Sequence, residues 1–311
     1  MYFPISGVEC PVWLPPAVSF VIASAVTSAG VSGAFLILPF QMSVLGFTSP
    51  AVSATNLLYN VVAIPGGVLQ YIREGRMAWP IAWVTLVGTL PGIFVGAVLR
   101  IRYFPGAREA KFFVGLVLAW LGIRLILDFH HRVFGKGIAA TTAASRLDAR
   151  FAGKLPADAV VRTRKMSLTS VEYEFWGEVF RFSPLLLAAV SLAVGVVGGI
   201  YGIGGGAIIA PFIASVFQLP VYTIAGACLF GTFVTSIAGT LFFELLSRLA
   251  NVGGVPVGPD WLLGILFGVG GLVGTNVGAR LQKYLPERWI RLVLGSLVIA
   301  VAVQYIWQFF A

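Results

Sequence analysis

"YGIGGGAIIAPF", Tyr201–Phe212, decides how this chain is read. Four glycines, Gly202, Gly204, Gly205 and Gly206, fall within five positions of a long apolar run. Each costs a helix about 1 kcal/mol relative to alanine, so a helix entering this stretch stops in it. The surroundings say what kind of helix stops. The chain has 311 residues, 58% hydrophobic and only 11% charged, where a soluble domain is about a quarter charged. Apolar runs of bilayer-crossing length recur along it. They cover residues 17–46, 50–72, 79–99, 110–128, 184–217, 220–246, 261–281 and 288–310. The expectation is an all-α integral membrane protein. A barrel would show short alternating segments instead.

The stretch has a twin. "GVSGAFLILPF" (Gly30–Phe40) aligns without gaps on "GIGGGAIIAPF" (Gly202–Phe212), with Gly30, Gly33, Ile37, Pro39 and Phe40 repeated at an offset of 172. Gly88, Gly92 and Gly96 recur as Gly270, Gly274 and Gly278, and Gly115 as Gly295. The chain therefore reads as two homologous four-segment halves, a first membrane repeat over 1–128 and a second over 184–311. Each opens with a Gly-broken or re-entrant helix. Between them lies a polar linker, 129–183, with nine Lys/Arg against five Asp/Glu. Within it "VEYEFWGEVFRF" alternates enough for a short strand pair or a surface-lying stretch.

Duplicated modules with Gly-interrupted segments at corresponding places are a pattern of secondary transporters. Backbone groups freed by such breaks are tolerated in a membrane only inside protein or beside a water-filled cavity. If the broken segments are hairpins, each half crosses three times and the halves are inverted. The linker then faces the cytoplasm by its Lys/Arg excess. Both termini, which lack Lys and Arg in residues 1–16 and in the tail "YIWQFFA", face outside. Arg100, Arg102, Arg108 and Lys111 would also lie outside, which counts against this arrangement. Full crossings would instead put the termini on the linker's side.

Several classes of function are disfavoured. "GIGGGA" fits a dinucleotide fingerprint literally, but no strand precedes it and no acidic residue follows about 20 positions on. There is no P-loop, no hydrolase constellation and no metal spacing. His130 and His131 flank a basic loop, and Cys10 and Cys228 form no framework. We expect no enzyme, no cofactor, no metal and no nucleic-acid partner.

A helix that begins after a glycine break presents free N–H groups and a positive dipole end, which suits a small anion. The candidate substrate-binding residues are Gly30, Ser32 and Gly33 at the first break and Gly202, Gly204, Gly205 and Gly206 at the second. Asn56 and Asn60 join them from one helical face with Ser53, and Thr232, Thr235 and Ser236 from another with Cys228. Polar residues inside a membrane segment are costly and so point to function, although Ser and Thr can bond back to their own helix. The glycines at 88/92/96 and 270/274/278, spaced i, i+4, i+8, read as close-packing faces. Arg124 with Asp128, and Glu244 with Arg248, read as interfacial pairs.

The stretches "GGIYGIGGGAIIAPFI" and "SAGVSGAFLILPFQ", with the two halves and the polar linker, resemble the TauE/SafE (sulfite exporter, TSUP) family. The first copy is the more degenerate, with Ser32 and Ala34 where the second has glycines. The resemblance implies a multi-pass transporter of the bacterial cytoplasmic membrane. It would move sulfite or an organosulfonate, by export coupled to a proton or ion gradient. An anion channel or a non-transporting assembly protein is the alternative, and a homo-oligomer is left open.

Overall fold

A computed structural model describes residues 1–28, 32–134, 160–167, 169–205, 208–210, 212–213, 217, 219, 221–249, 254–281 and 287–310. The chain opens with a two-stranded antiparallel hairpin, β1 (Tyr2–Phe3) and β2 (Val8–Glu9). The first apolar segment then appears as two helices, α1 (Leu14–Ser28) and α2 (Ala34–Ser43). The second is also divided, into α3 (Ala51–Ala63) and α4 (Pro65–Arg73). Pro65 has no N–H to continue the ladder, but it is well placed to start a new helix. α5 (Trp79–Tyr103) and α6 (Ala107–Phe134) follow.

The linker contributes a three-stranded antiparallel sheet in the order β3 (Val161–Met166), β4 (Val171–Phe175), β5 (Glu178–Phe182). The β4–β5 turn has Trp176 at φ 51° and Gly177 at φ 80°. Two positive φ values in a two-residue loop match the strand twist. The alternating stretch thus folds as the strand pair, and β3 is an addition not anticipated from sequence. Then follow α7 (Pro184–Tyr201), α8 (Val221–Leu249), α9 (Trp261–Leu281) and α10 (Glu287–Phe310), with residues 208–210 and 212–213 helical between α7 and α8. Among the described residues five stretches are long and apolar enough to cross a membrane: Ala51–Arg73, Trp79–Tyr103, Pro184–Tyr201, Thr223–Leu249 and Trp261–Gly278.

Glycine contacts fix how the helices run. A Cβ added at Gly88, Gly92 or Gly96 of α5 would come within 2.5 Å of the carbonyl oxygens of Ala188, Leu192 and Val196 of α7, respectively. A Cβ at Gly270, Gly274 or Gly278 of α9 would meet those of Pro16, Phe20 and Ser24 of α1 equally closely. Both pairs are parallel. At the offset of 172, Pro16, Phe20 and Ser24 correspond to Ala188, Leu192 and Val196, so one contact is made twice. The small-residue faces read from sequence are close-packing faces. Ser24 Oγ donates to the Gly274 carbonyl across one of them, at 3.2 Å.

Other pairs are antiparallel. In α6 and α10, Gly115 faces Tyr305 and Gly122 faces Ile299. In α3–α4 and α8, Tyr71 lies on Gly226 and Leu57 on Gly239. α3 runs parallel to α9, with Leu58 on Gly264 and Val62 on Gly268, and α5 runs parallel to α8, with Thr85 near Gly231 and Ile93 on Gly239. It follows that α1 and α3 point the same way, as do α7 and α8. The chain must therefore reverse direction between α1 and α3, and again between α7 and α8.

The ends of the bundle are consistent with this. At one end the Ser6 hydroxyl donates to Asp260 Oδ2 (2.9 Å) and the Ala51 N–H to the Pro256 carbonyl (3.2 Å). At the other, the sheet docks through Val161 N–H to the Gly75 carbonyl (3.0 Å) and a Tyr173–Thr223 hydroxyl pair (2.9 Å). Burial there pushes the Tyr173 phenol above its ordinary pKa, against the opposing effect of the Thr223 hydrogen bond, so it stays protonated.

Candidate functional site

The second break begins as a helix stop. Gly202, at φ 81° and ψ 26°, is the left-handed residue that closes α7. Its N–H and that of Ile203 both donate to the Gly198 carbonyl, at 2.8 and 3.2 Å, a common way of ending a helix. Gly204 is also left-handed, at φ 71°. The Ile209 N–H then donates to the Gly205 carbonyl at 3.1 Å, which restarts helical structure.

Such a stop orphans carbonyl oxygens in the bundle interior. The polar face of α3 satisfies them. Ser53 Oγ donates to the Ile200 carbonyl at 3.0 Å. Asn60 Nδ2 donates to that of Ile203 at 3.0 Å. Asn56 Nδ2 bridges the two breaks, donating to Gly202 (2.9 Å) in one and Ala34 (3.0 Å) in the other. The Tyr201 hydroxyl adds a second link, to the Phe35 carbonyl at 2.7 Å. Four residues thus lace the break after α7 to α2 and α3.

Because their partners are carbonyls, both carboxamides must present NH2 to the breaks and turn Oδ1 away. Asn56 Oδ1 and Asn60 Oδ1 are buried without a protein partner, and so are Ser236 Oγ and Thr240 Oγ1 on α8. Native interiors pair nearly all such atoms with protein, water or ligand. An added Cβ at Gly204 would come to 2.8 Å from Thr232 Cγ2 and 3.0 Å from Ser236 Oγ. One at Gly205 would meet Thr89 Cγ2 at 2.6 Å, and one at Gly33 the Tyr59 hydroxyl at 2.7 Å. α3, α5 and α8 therefore close around the breaks, and the polar side chains they contribute there are uncharged.

Most of the expected residues meet here: Gly33, Asn56, Asn60, Gly202, Gly204, Gly205, Thr232 and Ser236. Thr232 and Thr235 are buried, but their hydroxyls donate to their own helix, to the carbonyls of Cys228 (2.8 Å) and Gly231 (2.7 Å). Ser32 is half-buried, and its Oγ accepts from the Ala34 N–H at 3.4 Å. Gly30 and Gly206 lie outside the described residues. Tyr59, Thr89 and Tyr201 were not anticipated. An aromatic or threonine in an apolar run carries little signal of its own, and only the contact with a glycine break distinguishes them. Glu244 pairs with Arg248 as expected, at 2.8 Å. Arg124 lies over the Trp120 ring, 5.6 Å from its centroid. Among the described residues no three His, Cys, Asp or Glu side chains gather as a metal site would require.

Comparison with known proteins gives a consistent picture. A probable membrane transporter protein of Xylella fastidiosa (strain 9a5c) is 25% identical over 293 residues, 91% of this chain and 90% of that protein. The probable membrane transporter protein y4hK of Sinorhizobium fredii is 24% identical over 300 residues, 93% and 95% of the two chains. YunE of Bacillus subtilis, also described as a probable membrane transporter, is 20% identical over 288 residues, 90% and 91% of the two. No solved structure matches significantly. The family described as sulfite exporter TauE/SafE matches residues 16–305. This chain is a multi-pass membrane protein that belongs to the TauE/SafE family of membrane transporters.

Proposed function

We propose that the chain is a secondary transporter that exports a small sulfur-containing anion, sulfite or an organosulfonate, across the cytoplasmic membrane. One observation carries the reading: two glycine breaks, from the two halves, are tied together in the interior by Asn56 and Tyr201. Breaks at that place offer backbone donors to an anion at the point where the halves meet. The buried acceptors Asn56 Oδ1 and Asn60 Oδ1 call for a partner that brings protons or positive charge, which a coupling proton or ion would supply.

The two halves in this reading are inverted repeats. The antiparallel pairing of α6 with α10 and of α3–α4 with α8 supports it, because related helices that pair antiparallel are exchanged by an axis in the membrane plane. The linker then lies in the cytoplasm with both termini outside. Single cysteines introduced at Ser6 and at Thr142 of an otherwise Cys-free chain should label from opposite faces; labelling from the same face overturns the topology. Flux of sulfite, sulfate, taurine and chloride in proteoliposomes tests the substrate. Saturable sulfite or taurine flux that responds to a proton or sodium gradient is expected. Flux without saturation or coupling would make the protein a channel.

A further inference from the structure

We propose that Arg100 is an anion-binding residue, holding an oxyanion between its Nη1 and the Ser49 hydroxyl at the end of the bundle that carries the N-terminal hairpin. The inference rests on the transporter reading and adds a second anion position to it. Arg100 sits in the last turn of α5, where its position near a segment end marks it as an interfacial charge. It is instead 2% exposed. Nε donates to Ser53 Oγ at 3.3 Å, and Nη2 to the carbonyls of Thr48 (3.0 Å) and Ser49 (3.3 Å). Nη1 is buried without a partner, and so is Oγ of Ser49, the residue whose carbonyl accepts from Nη2. Ion pairs occur elsewhere, at Arg76–Glu74, Arg164–Glu174, Arg181–Glu172 and Arg248–Glu244, but among the described residues no carboxylate pairs with Arg100.

A guanidinium keeps its charge and has only donors to offer. Both N–H groups of Nη1, and the hydroxyl of the residue whose carbonyl Nη2 holds, are therefore buried with nothing to accept from them. A purely structural arginine, clasping the turn before α3, would account for Nη2 and Nε and leave Nη1 and Ser49 Oγ unexplained. An oxyanion accounts for both. The crevice that Arg100 lines has apolar walls, Leu38, Val52, Phe113 and Val114, and holds no water-sized space in this conformation. The anion enters when those walls part, as alternating access demands.

Ser53 lines the same crevice and connects it to the breaks, since it accepts from Arg100 and donates to Ile200. Ser53, Asn56 and Asn60 follow one face of α3 over about 10 Å. Arg100 thus stands at the mouth of the polar file that ends at the glycines. Its position among Arg102, Arg108 and Lys111 no longer argues against an outside location, because a buried cation held for a ligand does not report topology.

The test is sulfite binding to purified protein in detergent by calorimetry, with taurine, phosphate and chloride as comparison ions. The wild type is compared with Ser49→Ala and Arg100→Lys, and the fold of each is checked by its melting temperature. Loss of one charge-assisted hydrogen bond should weaken affinity about tenfold or more. Arg100→Lys should show the larger effect, because an ammonium cannot serve Thr48, Ser49, Ser53 and an anion at once. If Arg100→Lys does not fold, Ser49→Ala decides alone. Sulfite binding unchanged in Ser49→Ala and in folded Arg100→Lys overturns the proposal while leaving the substrate reading intact. If the wild type neither binds nor transports sulfite or taurine, the substrate reading fails instead. The Arg100 site is then judged on phosphate and chloride, and falls if neither ion's affinity responds to either substitution.

Discussion

Two sets of glycines in this protein have opposite surroundings. Gly88, Gly92 and Gly96, with Gly270, Gly274 and Gly278, press on the backbone of a neighbouring helix. Gly204 and Gly205 press on side chains: Thr232 and Ser236 for one, Thr89 for the other. A backbone carbonyl in a packed helix has nowhere to go, whereas a threonine or serine can change rotamer. The first group therefore fixes the distance between helices. The second sets buried peptide groups against polar side chains that can yield. The same residue type is a spacer in one place and an opening in the other.

Substitutions can break or sharpen that contrast. The largest effect should come from Gly92→Ala. Its Cβ would overlap the Leu192 carbonyl and lie 2.9 Å from Gly195 Cα, so α5 and α7 must separate. Overpacking of this kind costs roughly 1–3 kcal/mol. The melting temperature in detergent should fall clearly, and protein that remains folded should keep its anion affinity. Gly274→Ala should behave alike, since it occupies the corresponding contact with α1; a mild effect there would show that the two contacts are not equivalent.

Next comes Asn60→Leu. It removes the donor that satisfies the Ile203 carbonyl, and an unsatisfied buried acceptor costs about 1–3 kcal/mol. Stability and transport should fall together, and wild-type flux at normal stability would remove Asn60 from the site. Gly204→Ala should cost about 1–2 kcal/mol, from a left-handed backbone that a Cβ disfavours, and should lower affinity more than Gly92→Ala does. The mildest is Gly205→Ala. Its Cβ would lie nearest to Thr89 Cγ2, at 2.6 Å, and Thr89 Cβ, at 3.0 Å, so adding Thr89→Ser, which removes the closer atom, should restore most of the stability. If affinity stays low in that double variant, the space beside Gly205 belongs to the anion; full recovery would make the glycine a matter of packing.

The architecture was largely legible in the sequence because apolar run length and glycine placement are strong signals. Among the described residues each of the eight apolar segments contains helix, and α1 and α2 are separated at Gly33 as α7 is ended at Gly202. The two-residue strands β1 and β2 were beyond reach, since so short a pairing leaves no periodicity. β3, "VRTRKM", is exposed along nearly all its length, and its pairing depends on β4 rather than on any pattern of its own. Asn56 and Asn60 were legible because an amide in an apolar run has few harmless explanations. What they bond to was not. Their NH2 groups hold carbonyls of the breaks, so their oxygens, rather than their donors, are left over, which suits the proposed coupling proton or ion and not the anion. Arg100 was misleading for a physical reason: a cation near a segment end reads as interfacial until the turn at residues 48–49 is seen folded over it.

The doubled parallel contact bears on how the protein is made. α1 packs on α9 and α7 packs on α5, so the entry helix of each half rests on a helix of the other. α1 leaves the ribosome roughly 250 residues before its partner, a wait of about 10–50 s at ordinary synthesis rates. During that interval the ridge of α1 that will receive Gly270, Gly274 and Gly278 stands without its partner. Neither half, produced alone, contains the surface that covers its own first helix.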